Sequence, residues 1–336
     1  MPRSLFISLV AALALTSACG KKSATTSTSG GCDDSIKVPP GFCATIFADS
    51  AGPARDLVVR KNGDVIVGIL DQRRQAGGVL ALRDADHDGH ADEEARFGDS
   101  GVHGVLLSNN DSILLVSTST AVVRYRLSDS LAPRKKIDTL ITGLVARQIP
   151  SHTLALDMRG NLLVNIGAVS NACQAKDGPQ ARGLDPCPEL ATSGGIWSFK
   201  TDKTNQTIAE GTRIATGLHN AVAIAVNPRD SMIYAVSHDR DDLHDFWPSM
   251  YSAEENATLP AEEMIRIASS RADYGWPYCY YDYLKQDRVL APEYGGDKST
   301  VGRCDRLIQP LMTYPAHWSP MSMLFYNGKM FPANYQ

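Results

Sequence analysis

An acidic loop at residues 84–92 carries the residue types and spacing of a calcium site. Its four aspartates occupy positions 1, 3, 5 and 9 of the loop: Asp84, Asp86, Asp88 and Asp92. Gly89 at position 6 allows the sharp bend that brings such oxygen ligands to one point. Position 12 is Ala95, so the bidentate glutamate of an EF-hand is missing. The spacing predicts a structural calcium ion, and a solvated acidic turn is the alternative.

An aromatic-rich segment lies in the C-terminal third of the chain. Six aromatic residues fall between Tyr274 and Tyr283, interrupted by Gly275 and Pro277. Glycine and proline at this density exclude a regular helix and indicate a rigid loop. The segment closely resembles the glucose/sorbosone dehydrogenase family, and the resemblance runs from about Pro39 to the last residue. It implies a six-bladed β-propeller that oxidises sugars with pyrroloquinoline quinone (PQQ), with a calcium ion at the cofactor.

The resemblance also implies a histidine base. Relatives carry it in a segment resembling Arg-Gln-His-x-x-Lys-Thr-Leu, and residues 147–154 read Arg-Gln-Ile-Pro-Ser-His-Thr-Leu. An alignment without a gap puts Ile149 at the histidine position and His152 at that of the basic residue. Neutral imidazole can take the proton of a sugar hydroxyl, so His152 is the predicted base if the loop shifts around Pro150. The alternative is a histidine that is hydrogen-bonded to the loop backbone at the channel rim.

Five residues are the cofactor contacts that the resemblance implies: His103, His219, Asn220, His238 and Asp239. His103 matches a channel-facing position of relatives. His219 replaces an arginine of the Gly-x-Arg-Asn pattern, and histidine cannot supply the same fork of donors. Asp239 stands where relatives have glycine and where the backbone approaches the cofactor's calcium. Its carboxylate either ligates the metal or obstructs the site.

Two other functions are compatible with the same residues. Aromatic side chains such as Trp276 and Trp318 could stack on sugar rings in a non-catalytic, carbohydrate-binding propeller lipoprotein. Glu262 and Glu263 could form an acid/base pair for glycoside hydrolysis together with acidic residues at 241–242, but sequence spacing does not fix their separation.

A repeated strand-turn-strand pattern must position these residues. It appears five times, in residues 56–67, 105–116, 154–164, 222–236 and 323–331. Such a unit at intervals of roughly 45 to 50 residues is typical of propeller blades, because each small sheet buries both faces against its neighbours. The pattern predicts an all-β, six-bladed β-propeller whose C-terminal blade is incomplete in this chain. A β-sandwich is the alternative fold.

The N-terminus predicts export. Arg3 precedes an apolar run that is too short to span a membrane, and small residues then lead to Cys19. We interpret residues 1–19 as a lipoprotein signal ending at lipidated Cys19, residues 20–36 as a flexible tether, and residues 37–336 as the propeller. An ordinary cleaved signal peptide is the alternative. The expected location is the bacterial cell envelope, lipid-anchored and facing the periplasm or outer membrane.

Cysteine count and charge agree with an exported protein. Six cysteines besides Cys19 fall in three local pairs: Cys32 with Cys43, Cys173 with Cys187, and Cys279 with Cys304. This arrangement predicts three disulfides that each close one loop, although order alone does not prove connectivity. The net charge of −4 and the lack of a basic cluster argue against nucleic acid. By resemblance, the partners are a sugar substrate and an external electron acceptor, a quinone or a cytochrome c.

Overall fold

The computed structural model describes residues 31–33, 35–73, 75–108, 110–133, 136–145, 151–268 and 272–335. The predicted lipoprotein signal and most of the tether lie outside these residues, as does Ile149. The chain divides into two units, Met1–Ile46 and Phe47–Gln336. In the described part of the first unit, the Cys32–Cys43 disulfide closes a loop, and the Asp33 amide donates to the Ala44 carbonyl. No described helix is long and apolar enough to cross a membrane.

The second unit is all-β and begins with two four-stranded antiparallel sheets in simple up-and-down order. The first sheet contains β1 (Ala54–Val59), β2 (Val65–Ile69), β3 (Gly78–Arg83) and β4 (Glu93–Phe97). The second contains β5 (Gly104–Ser108), β6 (Ile113–Ser117), β7 (Ala121–Arg126) and β8 (Lys136–Thr142).

Two further sheets follow the same plan with insertions. The third contains β9 (Leu154–Leu156), β10 (Leu162–Ile166), β11 (Gly195–Phe199) and β12 (Thr212–Thr216), with β16 (Ala272–Asp273) parallel to β12. The fourth contains β13 (Asn220–Val226), β14 (Ile233–His238), β15 (Glu262–Ile267) and β19 (Met312–Tyr314). Insertions carry the hairpin β17 (Cys279–Asp282) and β18 (Asp287–Leu290), and the one-turn helices α1 (Leu243–Phe246) and α2 (Ala253–Asn256). Short 3-10 turns lie at Pro188–Ala191, Ile208–Glu210, Pro292–Tyr294, Gly302–Cys304 and Ala333–Tyr335.

Apolar clusters between consecutive sheets show that the sheets are propeller blades. Ile66 of the first sheet packs in one cluster with Leu114 of the second, and Leu115 of the second packs in another with Val164 of the third. Leu163 shares a cluster with Ile224 of the fourth sheet. All five residues of β6 and of β10 are buried, because each sheet is covered on both faces. These contacts confirm the propeller arrangement, with four blades in the described residues.

The innermost strand of each blade lines one central channel. Strands β1, β5, β9 and β13, together with residues 321–324, surround a cavity of about 740 Å³. The predicted units at 56–67, 105–116, 154–164 and 222–236 are therefore the inner two strands of the four blades.

The fifth predicted unit, at 323–331, is wrong as a pair of strands. The described residues after Tyr314 contain no strand. Leu324 and Met330 are 78% and 89% exposed. A strand needs a hydrogen-bonded neighbour, and no described strand lies beside this segment. Phe325 instead packs edge-on against Tyr234, with 5.1 Å between the ring centroids.

The predicted cysteine pairs of this unit are both formed. Cys173 and Cys187 are bonded with their Cα atoms 6.0 Å apart, and Cys279 and Cys304 with theirs 5.9 Å apart. Both bonds lie in the insertions, which carry long loops between blade strands. Together with Cys32–Cys43, they confirm the local pairing expected of an exported chain.

Candidate functional site

Three predicted site histidines lie one or two residues before innermost strands. His103 comes before β5, His152 before β9 and His219 before β13, and all three are buried. The His103 and His152 rings lie with centroids 6.4 Å apart. Gly104 allows this approach, because a Cβ there would come within 2.9 Å of the His152 carbonyl oxygen. The blade topology thus brings His103 and His152 to one end of the channel.

His152 is held by backbone on both sides of its ring. Its Nδ1 lies 3.0 Å from the Asn165 carbonyl oxygen, and its Nε2 lies 3.1 Å from the Ser119 carbonyl oxygen. The Ser117 hydroxyl also donates to the His152 carbonyl at 2.6 Å. Burial lowers the pKa of the imidazole. Neither ring nitrogen is open to a substrate in this conformation, so the base role of His152 stays a prediction that needs the ring to move.

Asn165 is a site residue that the sequence analysis missed. Its buried amide donates to the Ser151 carbonyl at 2.7 Å and to the Asn220 side-chain oxygen at 2.9 Å. Its own side-chain oxygen accepts from the Ala221 amide at 3.1 Å. A polar residue inside the apolar run Leu-Leu-Val-Asn-Ile was the available signal. Asn165 joins the third blade to the fourth and positions Asn220.

His219 packs against an aromatic ring at the same blade junction. Its ring centroid lies 5.8 Å from that of Trp276, and its carbonyl accepts from the Ala168 amide at 2.7 Å. His219, Asp239 and Trp276 all border one small cavity between the fourth blade and the insertions. The predicted contacts His219 and Asp239 are thus brought together.

His238 and Glu262 form a second buried group of titratable side chains. His238 is paired with Asn220 in the β13–β14 register, and its Nε2 lies 3.9 Å from Glu262 Oε2. Burial and the charge of Arg55 lower the pKa of His238 to about 4. Burial and the charge of Asp239 raise the pKa of Glu262 to about 8. At neutral pH the imidazole is therefore neutral and the Glu262 carboxyl holds a proton.

Asp239 lies next to this group along the chain. Burial and the charge of Glu263 raise its pKa to about 7. Its Oδ1 accepts from the Arg240 amide at 2.7 Å. A carboxyl with this pKa changes charge near neutrality, so Asp239 is a second group at this rim that can hold or release a proton.

Arg55 supplies the positive charge of the channel. This residue of β1 lines the cavity and donates to Ser151 Oγ at 3.3 Å and to the Met321 carbonyl at 3.4 Å. Among the described residues it has no salt bridge, and desolvation lowers its pKa. A half-buried guanidinium held only by long bonds to neutral oxygens is suited to an anionic ligand.

A comparison with known families matches the TrAA12-like family over residues 36–332. The chain belongs to the TrAA12-like family.

Solved structures share the fold of this TrAA12-like chain. The PQQ domain of a pyranose dehydrogenase from Coprinopsis cinerea matches with a TM-score of 0.66 at 16% identity, over 84% of this chain and 70% of that one. A family AA12 enzyme from Trichoderma reesei matches with a TM-score of 0.63 at 20% identity, over 80% and 69%. A glucose dehydrogenase matches with 0.56 at 17% identity, over 86% and 79%. The family and these folds confirm the sugar dehydrogenase resemblance. No curated protein matches the sequence.

Buried ion pairs brace the site of the TrAA12-like chain. Arg288 of the β17–β18 hairpin makes a two-point salt bridge to Glu263, with Nη1 2.9 Å from Oε1. Arg240 pairs with Glu293, whose Oε1 also accepts from the Trp247 indole at 2.9 Å. Because Arg288 occupies both oxygens of Glu263, this carboxylate is not available for the acid/base pair of a glycoside hydrolase.

Most aromatic side chains of the 274–283 segment are buried and do not form a surface that a sugar could contact. Tyr274, Trp276 and Tyr280 are 2%, 3% and 1% exposed. The Trp276 indole donates to the Asn171 carbonyl at 2.9 Å, deep in the insertion. Trp318 alone of the aromatics named for sugar stacking is strongly exposed, at 67%, and it stacks on Tyr314. The carbohydrate-binding alternative therefore lacks most of its expected surface.

The acidic loop brings three of its four predicted ligands together. One oxygen from each of Asp84, Asp86 and Asp88 lies within 4.8 Å of the others. The fourth, Asp92, accepts from the Ala85 amide at 2.8 Å and shapes the loop instead. Asp84 also accepts from the Gly89 amide at 2.9 Å. The loop lies between β3 and β4 on the first blade, apart from the inner strands that line the channel.

Proposed function

We propose that this chain is a PQQ-dependent oxidoreductase that oxidises the anomeric or aldehyde carbon of a sugar. One observation carries the proposal: Arg55 has no salt bridge among the described residues, at the channel of a fold shared with a PQQ domain. The cavity of about 740 Å³ has the size of a cofactor site.

The residues of the channel fit an anionic quinone cofactor. PQQ carries carboxylates, and Arg55 offers them a guanidinium that makes no salt bridge among the described residues, although the neighbouring Asp56 attracts it. His219 and Asn220 offer hydrogen-bonding groups at the junction of the third and fourth blades, and His103 lies at the neighbouring junction. When bound, the cofactor supplies an electron-poor quinone that accepts hydride. The protein residues orient the ligands and hold protons.

Calcium has a candidate site outside the channel. We propose that Asp84, Asp86 and Asp88 hold a structural ion, since three convergent carboxylates are hard ligands for this cation. A further ion at Asp239 would depend on bound cofactor. The electron acceptor is a quinone or a cytochrome c, to be distinguished by assay with each.

The whole propeller is proposed to have six blades. The inner strand β1 leaves Leu57 and Val59 57% and 58% exposed. Inner strands are normally covered by the next blade, so these side chains fit a face that a further blade packs against. The resemblance to a six-bladed family supports the same count.

We propose anchoring through Cys19 at the bacterial cell envelope. The support is the sequence pattern of the first nineteen residues together with three disulfides in the folded part. Labelling with radioactive palmitate in a bacterial host tests it, with Cys19→Ser expected to remain unlabelled. Label on both proteins would contradict the anchor.

A sugar oxidation assay tests the activity. The protein is reconstituted with PQQ and calcium, and dye reduction is followed over a panel of aldoses. His152→Ala is expected to abolish oxidation while PQQ stays bound, if His152 rotates to act as the base. A non-catalytic sugar-binding propeller is the second candidate, and the two carbonyl contacts of His152 favour it. Sugar binding without dye reduction would establish that candidate.

A further inference from the structure

We propose that Trp318 is a stacking platform for a second sugar ring, adjacent to the ring that enters the channel. Trp318 is 67% exposed, whereas Trp197 and Trp276 are each 3% exposed. Its indole stacks on Tyr314, with 6.1 Å between the ring centroids and 26° between the ring planes. Tyr314 therefore covers one face of the indole, and the side chain remains mostly in water. The negative face of an aromatic ring attracts the C–H face of a pyranose.

Trp318 lies at the same end of the propeller as the predicted site residues. Tyr314, the last residue of β19, is paired with Glu262, the first residue of β15. His238 ends β14 at the same level of the sheet, opposite Asn220 at the start of β13. Because Trp318 follows β19 and contacts Tyr314, the indole lies at this end of the fourth blade.

The segment that carries Trp318 is fixed to the fourth blade. We call residues 315–321 the strap. The His317 amide donates to Glu262 Oε1 at 3.2 Å, and His317 Nε2 lies 2.9 Å from the Asn256 carbonyl oxygen. The residue before Trp318 has a φ of 64° and the residue after it a φ of 51°, a region that non-glycine residues occupy where their surroundings hold them. The strap therefore presents the indole on a constrained backbone.

The strap ends at the channel. Met321 lines the cavity of about 740 Å³, and its carbonyl accepts from Arg55 at 3.4 Å. Trp318 is three residues away, and three extended residues span at most about 10 Å. A disaccharide has a similar length. A disaccharide whose reducing ring enters the channel at Met321 can therefore place its second ring on Trp318.

A carboxylate lies next to the strap. His317 Nδ1 is 3.3 Å from Asp241 Oδ1, and the two side chains are 44% and 60% exposed. Carboxylate oxygens accept from the hydroxyl groups of a sugar, while an aromatic face contacts the C–H groups between them. The two kinds of group together suit a neutral saccharide.

The substrate class that follows is a neutral reducing oligosaccharide. The assignment of the first ring to the channel rests on the proposed function. The second-ring site on Trp318 does not, because it depends only on the strap and its contacts. A monosaccharide bound in the channel would leave the indole uncovered.

The experiment observes Trp318 itself and needs no cofactor. The full chain is labelled with 5-fluorotryptophan, and the Trp318 ¹⁹F resonance is assigned by its loss in Trp318→Phe. We expect a saturable shift of this resonance with cellobiose, at a Kd about fivefold or more below that of glucose. By calorimetry, Trp318→Ala is expected to weaken cellobiose binding about tenfold. Trp318→Phe, which keeps a ring, should weaken it less than about threefold.

A matched control separates the platform from a general effect of apolar exposure. Met330 is 89% exposed in the same C-terminal segment, and Met330→Ala is expected to leave cellobiose binding unchanged. Substitution of a side chain as exposed as Trp318 has little effect on folding, so both variants report on binding. With PQQ bound, Trp318→Ala should lower kcat/KM for cellobiose and leave that for glucose unchanged.

Each contrary outcome is distinct. A Trp318 resonance that cellobiose never shifts, or equal affinities for cellobiose and glucose, would overturn the second-ring site. A shift that follows protein concentration without sugar would overturn it in favour of a contact with a second copy of the chain. If sugars are oxidised and Trp318→Ala leaves kcat/KM for cellobiose unchanged, this inference fails and the proposed function stands. If cellobiose shifts Trp318 but PQQ does not bind, the proposed function fails and the second-ring site stands.

Discussion

The side-chain amide of Asn165 donates to the side-chain oxygen of Asn220 at 2.9 Å, and this bond joins the third blade to the fourth. The substitution Asn165→Leu would leave the Ser151 carbonyl and the Ala221 amide buried without the Asn165 side chain as their hydrogen-bond partner. We expect a loss of about 2–4 kcal/mol in the free energy of unfolding, since each orphaned group costs about 1–3 kcal/mol. Asn220→Ala should cost less, because it removes one bond. Urea unfolding of both variants checks this, and equal losses would contradict the central role of Asn165.

Glu262 makes stability fall as pH rises. Its pKa is about 8 in the folded protein against an ordinary value of 4.5, so the folded state keeps a proton that the unfolded state loses in this window. Glu262→Gln removes this dependence. We expect the variant to exceed the wild type by about 4 kcal/mol at pH 8, because each unit of pKa difference is worth about 1.4 kcal/mol, with the difference shrinking towards pH 4.5. Chemical unfolding across this range measures it, and a constant difference would refute the raised pKa.

His238 makes stability rise with pH in the acid range. Its pKa is about 4 in the folded protein against an ordinary 6.5. The folded state holds fewer protons between these values, so stability rises with pH from about 4 to 6.5. Between pH 4.5 and 6.5 this rise offsets the fall that Glu262 causes, so His238→Gln is expected to uncover a fall in stability with pH across that range and to leave the part above pH 6.5 in place. If the variant and the wild type have the same profile between pH 4.5 and 6.5, the pKa of His238 is not lowered in the folded protein.

Removing only one partner of the Arg288–Glu263 pair should strongly lower the free energy of unfolding. The two side chains are 1% and 8% exposed. Arg288→Met leaves the Glu263 charge buried, and we expect a loss of about 3–5 kcal/mol, most of it recovered in the double variant Arg288→Met/Glu263→Leu. Arg303→Met is the control, because its pair with Asp185 is 47% and 55% exposed and should be worth less than about 1 kcal/mol. Similar losses for both single variants would contradict this account.

Calcium should stabilise the fold through the acidic loop. The proposed ion would bind the native state only, so it is expected to raise the melting temperature by mass action, by about 2–4 °C with calcium at about ten times its Kd. Asp86→Ala is expected to lose the difference between calcium and chelator, while Asp202→Ala, an exposed aspartate elsewhere, keeps it. Equal melting temperatures in all conditions would leave a solvated turn.

Much of the fold could be predicted from the sequence because its signals are local. Alternating apolar residues around short turns predicted β1–β2 and β13–β14, and neighbouring cysteines predicted the disulfides. The unit at 323–331 had the same pattern but has no partner strand among the described residues. The sequence of a segment does not by itself determine whether a neighbouring strand will pair with it.

The site was less predictable, because it depends on contacts between distant strands. Histidines could be placed just before the inner strands, as His103 and His152 show. No local pattern indicates that Arg55 of the first blade would reach Ser151 of the third, or that Glu262 would face His238. The aromatic segment suggested a surface for sugar stacking, but Trp276 is buried and packs inside the protein.

The binding of PQQ to the cofactor-free protein tests the central claim most directly. Fluorescence titration with calcium present compares the wild type, Arg55→Gln, and the control Arg96→Gln, which changes an exposed arginine on β4. We expect saturable binding to the wild type and the control, and an affinity about tenfold or more lower for Arg55→Gln, because we propose that this guanidinium, which has no salt bridge among the described residues, meets the cofactor's carboxylates. Equal affinity of all three proteins, or no binding to any of them, would contradict the account.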